Sequence, residues 1–285
     1  MNFGVIGPGK MGQLFIRDFI KCGAKLTYIK ASTVKKTKKI VKKYQKEGLL
    51  NNNSIKSVDS LVISSKTNTH YKYINRFYKK KKLLIEKPFF FCKNKSYDWH
   101  LKKARLFLKF NKSINLNLSN YLLGDIYKRQ KNLLNKKNKK FFFSFHTGGD
   151  CKYKLIILDL MPHFFSIIQR LTPCDHIKII SRTISKHSCD LIIKIDNYTC
   201  YIDLKENQKK RRLSFGFSDF IISRQQILYK NNIKNFLYNR KYNLKIKTPN
   251  PLTNFISNYH DKNELTILGK KFIFRNFRLT LKAYF

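Results

Sequence analysis

The feature that most constrains this chain is its first glycine cluster. Asn2 to Ile6 form a short apolar run, and Gly7-Pro8-Gly9-Lys10-Met11-Gly12 follow at once. Met11, Leu14, Phe15, Phe19 and Ile20 then recur at helical spacing until Cys22-Gly23 ends the stretch. A GxGxxG motif between a strand and a helix predicts a cradle for a dinucleotide pyrophosphate. Gly7 allows the tight turn, Gly9 lets the backbone approach the phosphates, and Gly12 lets the helix pack close to the strand. Lys10 and Met11 lie in the same turn and are expected to line it.

The pattern then repeats. Lys25 to Ile29 alternate like a strand, and a lysine-rich helix carries Val34, Ile40, Val41 and Tyr44 on one side. Leu61 to Ser65 is a third strand, with a helix through Tyr78 after it; Leu83 to Ile85 is a fourth, stopped by Glu86-Lys87-Pro88. A helix over Tyr97 to Phe110 and a strand over Ile114 to Leu118 follow. This alternation predicts a Rossmann-type doubly wound parallel sheet over residues 1–118. Beyond it the texture changes. A polar helical segment reaches Lys140, Phe141 to Phe145 read as a strand, and Leu155 to Leu171 is the most apolar helical stretch. Strand candidates at Ile177–Ser181, Asp190–Ile195, Thr199–Leu204 and Leu213–Ser218 lack helices between them, and Asn276 to Tyr284 read as a short closing helix. Residues 119–285 are therefore expected to form an α+β domain with a largely antiparallel sheet.

Composition narrows the partners. Hydrophobic residues are 42% and aromatics 14% of the 285, which excludes a disordered tail protein. No apolar, uncharged run approaches the roughly 18 residues of a membrane helix. The N-terminus does not read as a signal peptide, and the six cysteines form no CxxC pair, so a reducing cytoplasm is the expected compartment. Sixty Lys+Arg against 16 Asp+Glu give a net charge of +44. One reading is a basic protein that associates with nucleic acid. The other is compositional drift in an AT-rich genome. The basic residues are mostly lysine, are spread along the chain, and accompany abundant Asn, Ile, Phe and Tyr. Drift is the better account, and a small-molecule substrate is expected, with no specific nucleic acid and no membrane.

A residue at the end of the second strand reads the cofactor ribose. An acid there would accept from the 2′-OH of NAD. Here the segment is Ile29-Lys30-Ala31-Ser32-Thr33, with no acid and with Lys35-Lys36 behind it. A 2′-phosphate would meet hydroxyls and cations, so the expected cofactor is NADP or NAD, with NADP favoured.

Four segments together resemble the glucose-fructose oxidoreductase / inositol dehydrogenase (Gfo/Idh/MocA) family of NAD(P)-dependent oxidoreductases. They are GVIGPGKMG at 4–12, LVISSKTNTHY at 61–71, LLIEKPF at 83–89 and DLMPHFFSII at 159–168. The resemblance implies an N-terminal Rossmann domain, a C-terminal domain with an open-faced sheet, and a homodimer or homotetramer formed through that sheet. It implies that Lys87 of Glu86-Lys87-Pro88 reaches the substrate hydroxyl and the nicotinamide ribose. It also implies that Asp159 and His163 are the acid–histidine pair, with His163 as general acid/base. Ser65, Asn68 and His70 would pass beside the cofactor. The family's usual Thr-Pro is Ser65-Lys66 here, and the acid often found three residues after the histidine is Ser166.

The chemistry of those side chains is coherent in itself. Hydride transfer between an alcohol carbon and nicotinamide C4 needs a group to take or give the hydroxyl proton, and histidine titrates in the right range. Asp159 and His163 are four apart and share a helix face, although Pro162 between them favours a first turn or a kink. A lysine supplies positive charge for a developing alkoxide. Cys174-Asp175-His176 and His187-Ser188-Cys189-Asp190 lack zinc spacing, so no metal is expected. The expected function is hydride transfer between NAD(P) and a sugar, sugar derivative or cyclic polyol. A catalytically degenerate binder of dinucleotide or sugar is the alternative.

Overall fold

A computed structural model describes residues 1–111, 113–130, 139–229, 232–261 and 268–285. The chain divides into two compact units, residues 1–117 with 252–274, and residues 118–251 with 275–285.

The first unit alternates strand and helix: β1 (Asn2–Ile6), α1 (Lys10–Lys21), β2 (Lys25–Lys30), α2 (Val34–Lys46), β3 (Ser60–Ile63), α3 (Thr67–Phe77), β4 (Lys82–Ile85), α4 (Tyr97–Phe110) and β5 (Ile114–Leu116). Its five strands run in the order β2-β1-β3-β4-β5, every neighbouring pair parallel. All four residues of β3 are buried, the signature of a parallel strand covered on both faces. Thr33 accepts from Lys36 N–H and caps α2, so a helix rich in like charges still starts cleanly.

The second unit contains α5 (Tyr121–Lys128), β6 (Lys140–His146), α6 (Leu155–Leu171), β7 (Lys178–Ile184), β8 (Ser188–Ile195), β9 (Tyr198–Lys205), β10 (Arg212–Phe217), β11 (Phe220–Tyr229), β12 (Asn232–Asn239) and β13 (Leu244–Thr248). They build one eight-stranded sheet, β13-β12-β11-β10-β6-β9-β8-β7. It is antiparallel apart from the parallel β6–β9 pair, as the expected α+β class requires. Period-two alternation selects the covered face. Phe141 and Phe143 of β6 and Cys200, Ile202 and Leu204 of β9 are buried with Phe164, Phe165 and Ile168 of α6. Phe142 and Tyr201, on the opposite face, stack at 5.1 Å. Gly124 lets α5 close on α6, since a Cβ there would lie 2.8 Å from Ile167 O.

Two helices complete the chain, α7 (Pro251–Asp261) and α8 (Gly269–Tyr284). The sequence reading assigned everything after residue 118 to the second domain. Residues 252–274 instead pack with the first unit. Thr253 donates to the buried Asp18 carboxylate at 2.9 Å, and the Tyr259 ring, edge-on to Phe19, hydrogen-bonds Ser60 through its hydroxyl. The polar helix expected to reach Lys140 is α5, which ends at Lys128, and Lys140 instead opens β6; residues 131–138 lie outside the described residues. The closing helix begins at Gly269, seven residues before the expected start at Asn276. Among the described residues no helix is long and apolar enough to cross a membrane.

Candidate active site

The strand ends of the first unit build a glycine turn. Gly7 follows β1 with φ +86°, its N–H donates to Lys30 O at 2.8 Å, and its carbonyl accepts from Ser64 Oγ at 2.8 Å. A Cβ on Gly7 would lie 2.4 Å from the Ser65 backbone, and one on Gly12 would lie 2.4 Å from Gly7 O. Both glycines are therefore required by the turn's own packing. Gly9 differs. Its backbone is extended (φ −75°, ψ −162°), it caps α1, and a Cβ there would meet nothing within 4 Å. The space beside Gly9 is open, and the N–H groups of Lys10, Met11 and Gly12 head a helix whose first turn has no intrahelical partners for them. These residues fit a dinucleotide pyrophosphate: one glycine faces space and two face protein.

A cleft of about 290 Å³ lies at the end of β2, lined by Tyr28, Lys30, Ala31, Thr33, Lys38 and Asn53 among others. Ser32 lies on the same rim. None of its lining residues is acidic. Asn53, which nothing in the sequence singles out, grips Ile29 by both backbone groups, accepting from its N–H at 2.7 Å and donating to its carbonyl at 3.2 Å. Thr37 does the same job next door, accepting from Ala31 N–H at 3.0 Å. The strand end is thus held by uncharged side chains, and its cationic lining comes from Lys30 and Lys38.

The remaining first-unit candidates follow β3 and β4. Ser65 bonds Thr69 through its hydroxyl, and Asn68 is exposed on the first turn of α3. Glu86 is buried and accepts from Asn117 Nδ2 at 2.7 Å, which fixes the strand end that carries Lys87. His70 is buried in the same segment. Its ring is 1% exposed, and its nitrogens face the carbonyls of Ser65 and Pro88 at 2.8 and 3.0 Å. Burial pushes its pKa below the usual histidine value, against the upward pull of nearby carbonyls.

Asp159 and His163 stand in the second unit, one turn apart on α6, which runs unbroken through Pro162. The His163 ring sits edge-on to Phe145, with centroids 4.9 Å apart. Its Nδ1 accepts from Asn120 Nδ2 at 3.0 Å, so in the neutral ring the proton sits on Nε2. Asn120 is buried and was not visible as a site residue in the sequence. Asp159 lies in a trio with Cys151 and the buried Glu206, whose ligand-type atoms are all within 4.8 Å of one another. Thr147 donates to Glu206 at 2.9 Å, and Gly149 runs so close that a Cβ would overlap the Glu206 carboxylate. Gly149 therefore makes room for a buried acid beside Asp159.

Residues 1–103 match the model of the Gfo/Idh/MocA oxidoreductase family, described as an NAD-binding Rossmann fold. No curated protein matches the chain by sequence. Among solved structures, the UDP-N-acetylglucosamine 3-dehydrogenase of Acidithiobacillus ferrooxidans superposes with a TM-score of 0.69 at 15% identity, covering 99% of this chain and 96% of that one. A 3-ketoreductase from Actinomadura kijaniata, solved with TDP-benzene and NADP, gives 0.72 at 10% identity over 99% and 96%. Biliverdin reductase from Synechocystis, with biliverdin and NADP+, gives 0.70 at 9% identity over 99% and 98%. At these identities the likeness carries the fold of the whole chain, Rossmann unit and eight-stranded sheet alike.

Proposed function

We propose that this protein is an NAD(P)-dependent oxidoreductase acting on a CH–OH group of a sugar, sugar derivative or cyclic polyol. The observation that carries the reading is the glycine turn, where Gly9 alone faces open space at a helix N-terminus. A bound dinucleotide would supply the hydride acceptor or donor. The backbone at Gly7, Gly9, Lys10, Met11 and Gly12 would hold its phosphates, and Ala31, Ser32 and Thr33 its adenosine ribose. NADP is the favoured form, because no acid lines the β2 cleft while Lys30 and Lys38 do. Ser65, Asn68, Glu86 and Lys87 complete the proposed nicotinamide side. Neighbours of the same fold include a nucleotide-sugar dehydrogenase and an NADP-bound ketoreductase.

In the proposed reaction His163 moves the hydroxyl proton through Nε2, with Asn120 holding Nδ1. Asp159 favours the imidazolium that forms, and Lys87 stabilises the alkoxide. The proposed setting is cytoplasmic, consistent with six free cysteines, and a homodimer or homotetramer would form through the face bearing Phe142 and Tyr201. Titration with NADPH and NADH, followed by nicotinamide fluorescence, tests the reading. Saturable binding with NADPH at least as tight as NADH is expected. Failure of both to bind would refute it.

A further inference from the structure

His70 joins two parts of the first unit that the proposed function uses separately. Its Nε2 faces Ser65 O at 2.8 Å and its Nδ1 faces Pro88 O at 3.0 Å. Ser65 forms the floor of the phosphate turn, since its N and Cα are the atoms a Cβ on Gly7 would strike. Pro88 follows Lys87 directly. A neutral imidazole carries one N–H, so it can donate to only one of these carbonyls at a time. At the other nitrogen a lone pair then faces a carbonyl oxygen. Burial favours the neutral ring, against the pull of the Ser65, Pro88 and Phe89 backbone towards the charged one. The neutral ring therefore has two states, one donating to Ser65 and one donating to Pro88.

We propose that His70 is a positioning residue, a one-proton clasp that links the backbone under the phosphates to the strand end carrying Lys87. The inference rests on the dinucleotide reading of this unit. It predicts that occupation of the phosphate turn is felt at Lys87, and hence at the nicotinamide, through the choice of ring tautomer.

Two conservative variants of the full chain separate the arms. An Asn amide can stand where Nδ1 is, and a Gln amide reaches the place of Nε2. His70→Asn should keep the Pro88 arm and lose the Ser65 arm. NADPH should then bind about three- to tenfold more weakly, the worth of one neutral hydrogen bond, with the emission of the bound nicotinamide unchanged. His70→Gln should do the reverse, leaving affinity within about threefold of wild type, a modest hydrogen-bond effect at most, while altering the bound emission. The wild-type ring gives an independent readout, because the His70 ¹⁵N shifts report which nitrogen is protonated, and the tautomer ratio should change on saturation with NADPH. If wild type binds NADPH and the two variants behave alike, the clasp is wrong and the dinucleotide reading stands. Should either variant fail to fold, a tautomer ratio unmoved by NADPH overturns the clasp by itself. If wild type binds neither NADPH nor NADH, the dinucleotide reading fails and the clasp falls with it.

Discussion

Gly9→Ala separates a glycine kept for the fold from one kept for a ligand. The new methyl would meet nothing within 4 Å, and the backbone at φ −75°, ψ −162° suits any residue. Two small terms then oppose each other. Alanine restricts the unfolded chain and stabilises by about 0.4–1 kcal/mol. It is also a poorer N-cap than glycine, by a similar amount. The net change should be below about 1 kcal/mol, so Tm should move by less than about 4 °C. Binding should respond quite differently. A methyl in the space the pyrophosphate must enter would deny it at least one charge-assisted hydrogen bond, worth about 1.5–3 kcal/mol. That is roughly a 10- to 150-fold loss of NADPH affinity. Gly7→Ala is the matched control. Its φ of +86° and the 2.4 Å overlap with Ser65 should lower stability by more than about 2 kcal/mol, whatever binds. Thermal denaturation by circular dichroism and a fluorescence titration with NADPH, run on all three proteins, give the comparison. A stable Gly9→Ala protein that binds NADPH like wild type would refute the placement of the phosphates.

Ala31→Asp should turn cofactor preference towards NADH by at least about tenfold in the ratio of dissociation constants, because a carboxylate repels a 2′-phosphate and accepts from a 2′-OH. An unchanged ratio would mean that another group reads the ribose. His163→Ala should lower kcat by roughly 10²–10⁴-fold with NADPH affinity unchanged. Asn120→Ala should lower it by about tenfold through loss of the fixed tautomer, and a wild-type rate in both would remove His163 from the chemistry. Acid should destabilise the fold in the range where free histidine titrates. His70 and His100 both have pKa values pushed down by burial, so the unfolded chain binds their protons first. Their contribution is full above about pH 6.5 and is lost as pH falls through the folded values, with a slope of up to about 1.4 kcal/mol per pH unit for each. Urea denaturation at steps between pH 7.5 and 5 measures that slope. A flat profile would show that the two rings do not titrate differently in the folded and unfolded chain.

The first unit was nearly all legible because each parallel strand is a short apolar run with a helix behind it, and glycine turns punctuate the series. The ends shifted by only a residue or two. The second unit was legible where apolar runs are long, at β6 and α6, and at β7 to β10. It was not legible at β11, β12 and β13. In β11 Arg224, Gln225 and Gln226 interrupt the apolar pattern, and Arg224 is taken up by a hydrogen bond to Asn235 of β12. A polar pair inside a sheet cannot be recognised before its partner strand is known. The return of residues 252–274 to the first unit was hidden for a similar reason, since Thr253 and Tyr259 reveal their roles only beside Asp18 and Ser60. Candidate residues with a fixed local context, such as Gly7, Gly9 and Gly12, could be given roles in advance. Those defined by a distant partner could not: Asn53, Asn117, Asn120 and Glu206 are ordinary residues until the fold brings them to Ile29, Glu86, His163 and Asp159. The partners of His70 belong with these, since nothing in the sequence shows that its ring faces the carbonyls of Ser65 and Pro88.

The central claim is hydride transfer. Absorbance at 340 nm should be followed with the full chain and NADP+ or NAD+ against a panel of nucleotide sugars, free sugars and cyclic polyols, and in the reverse direction with NADPH and NADH against the corresponding keto compounds. Catalytic change with at least one member of the panel, abolished by His163→Ala, is the predicted result. A wild-type protein that binds dinucleotide but transfers no hydride with any member would contradict it and leave a binding protein in its place.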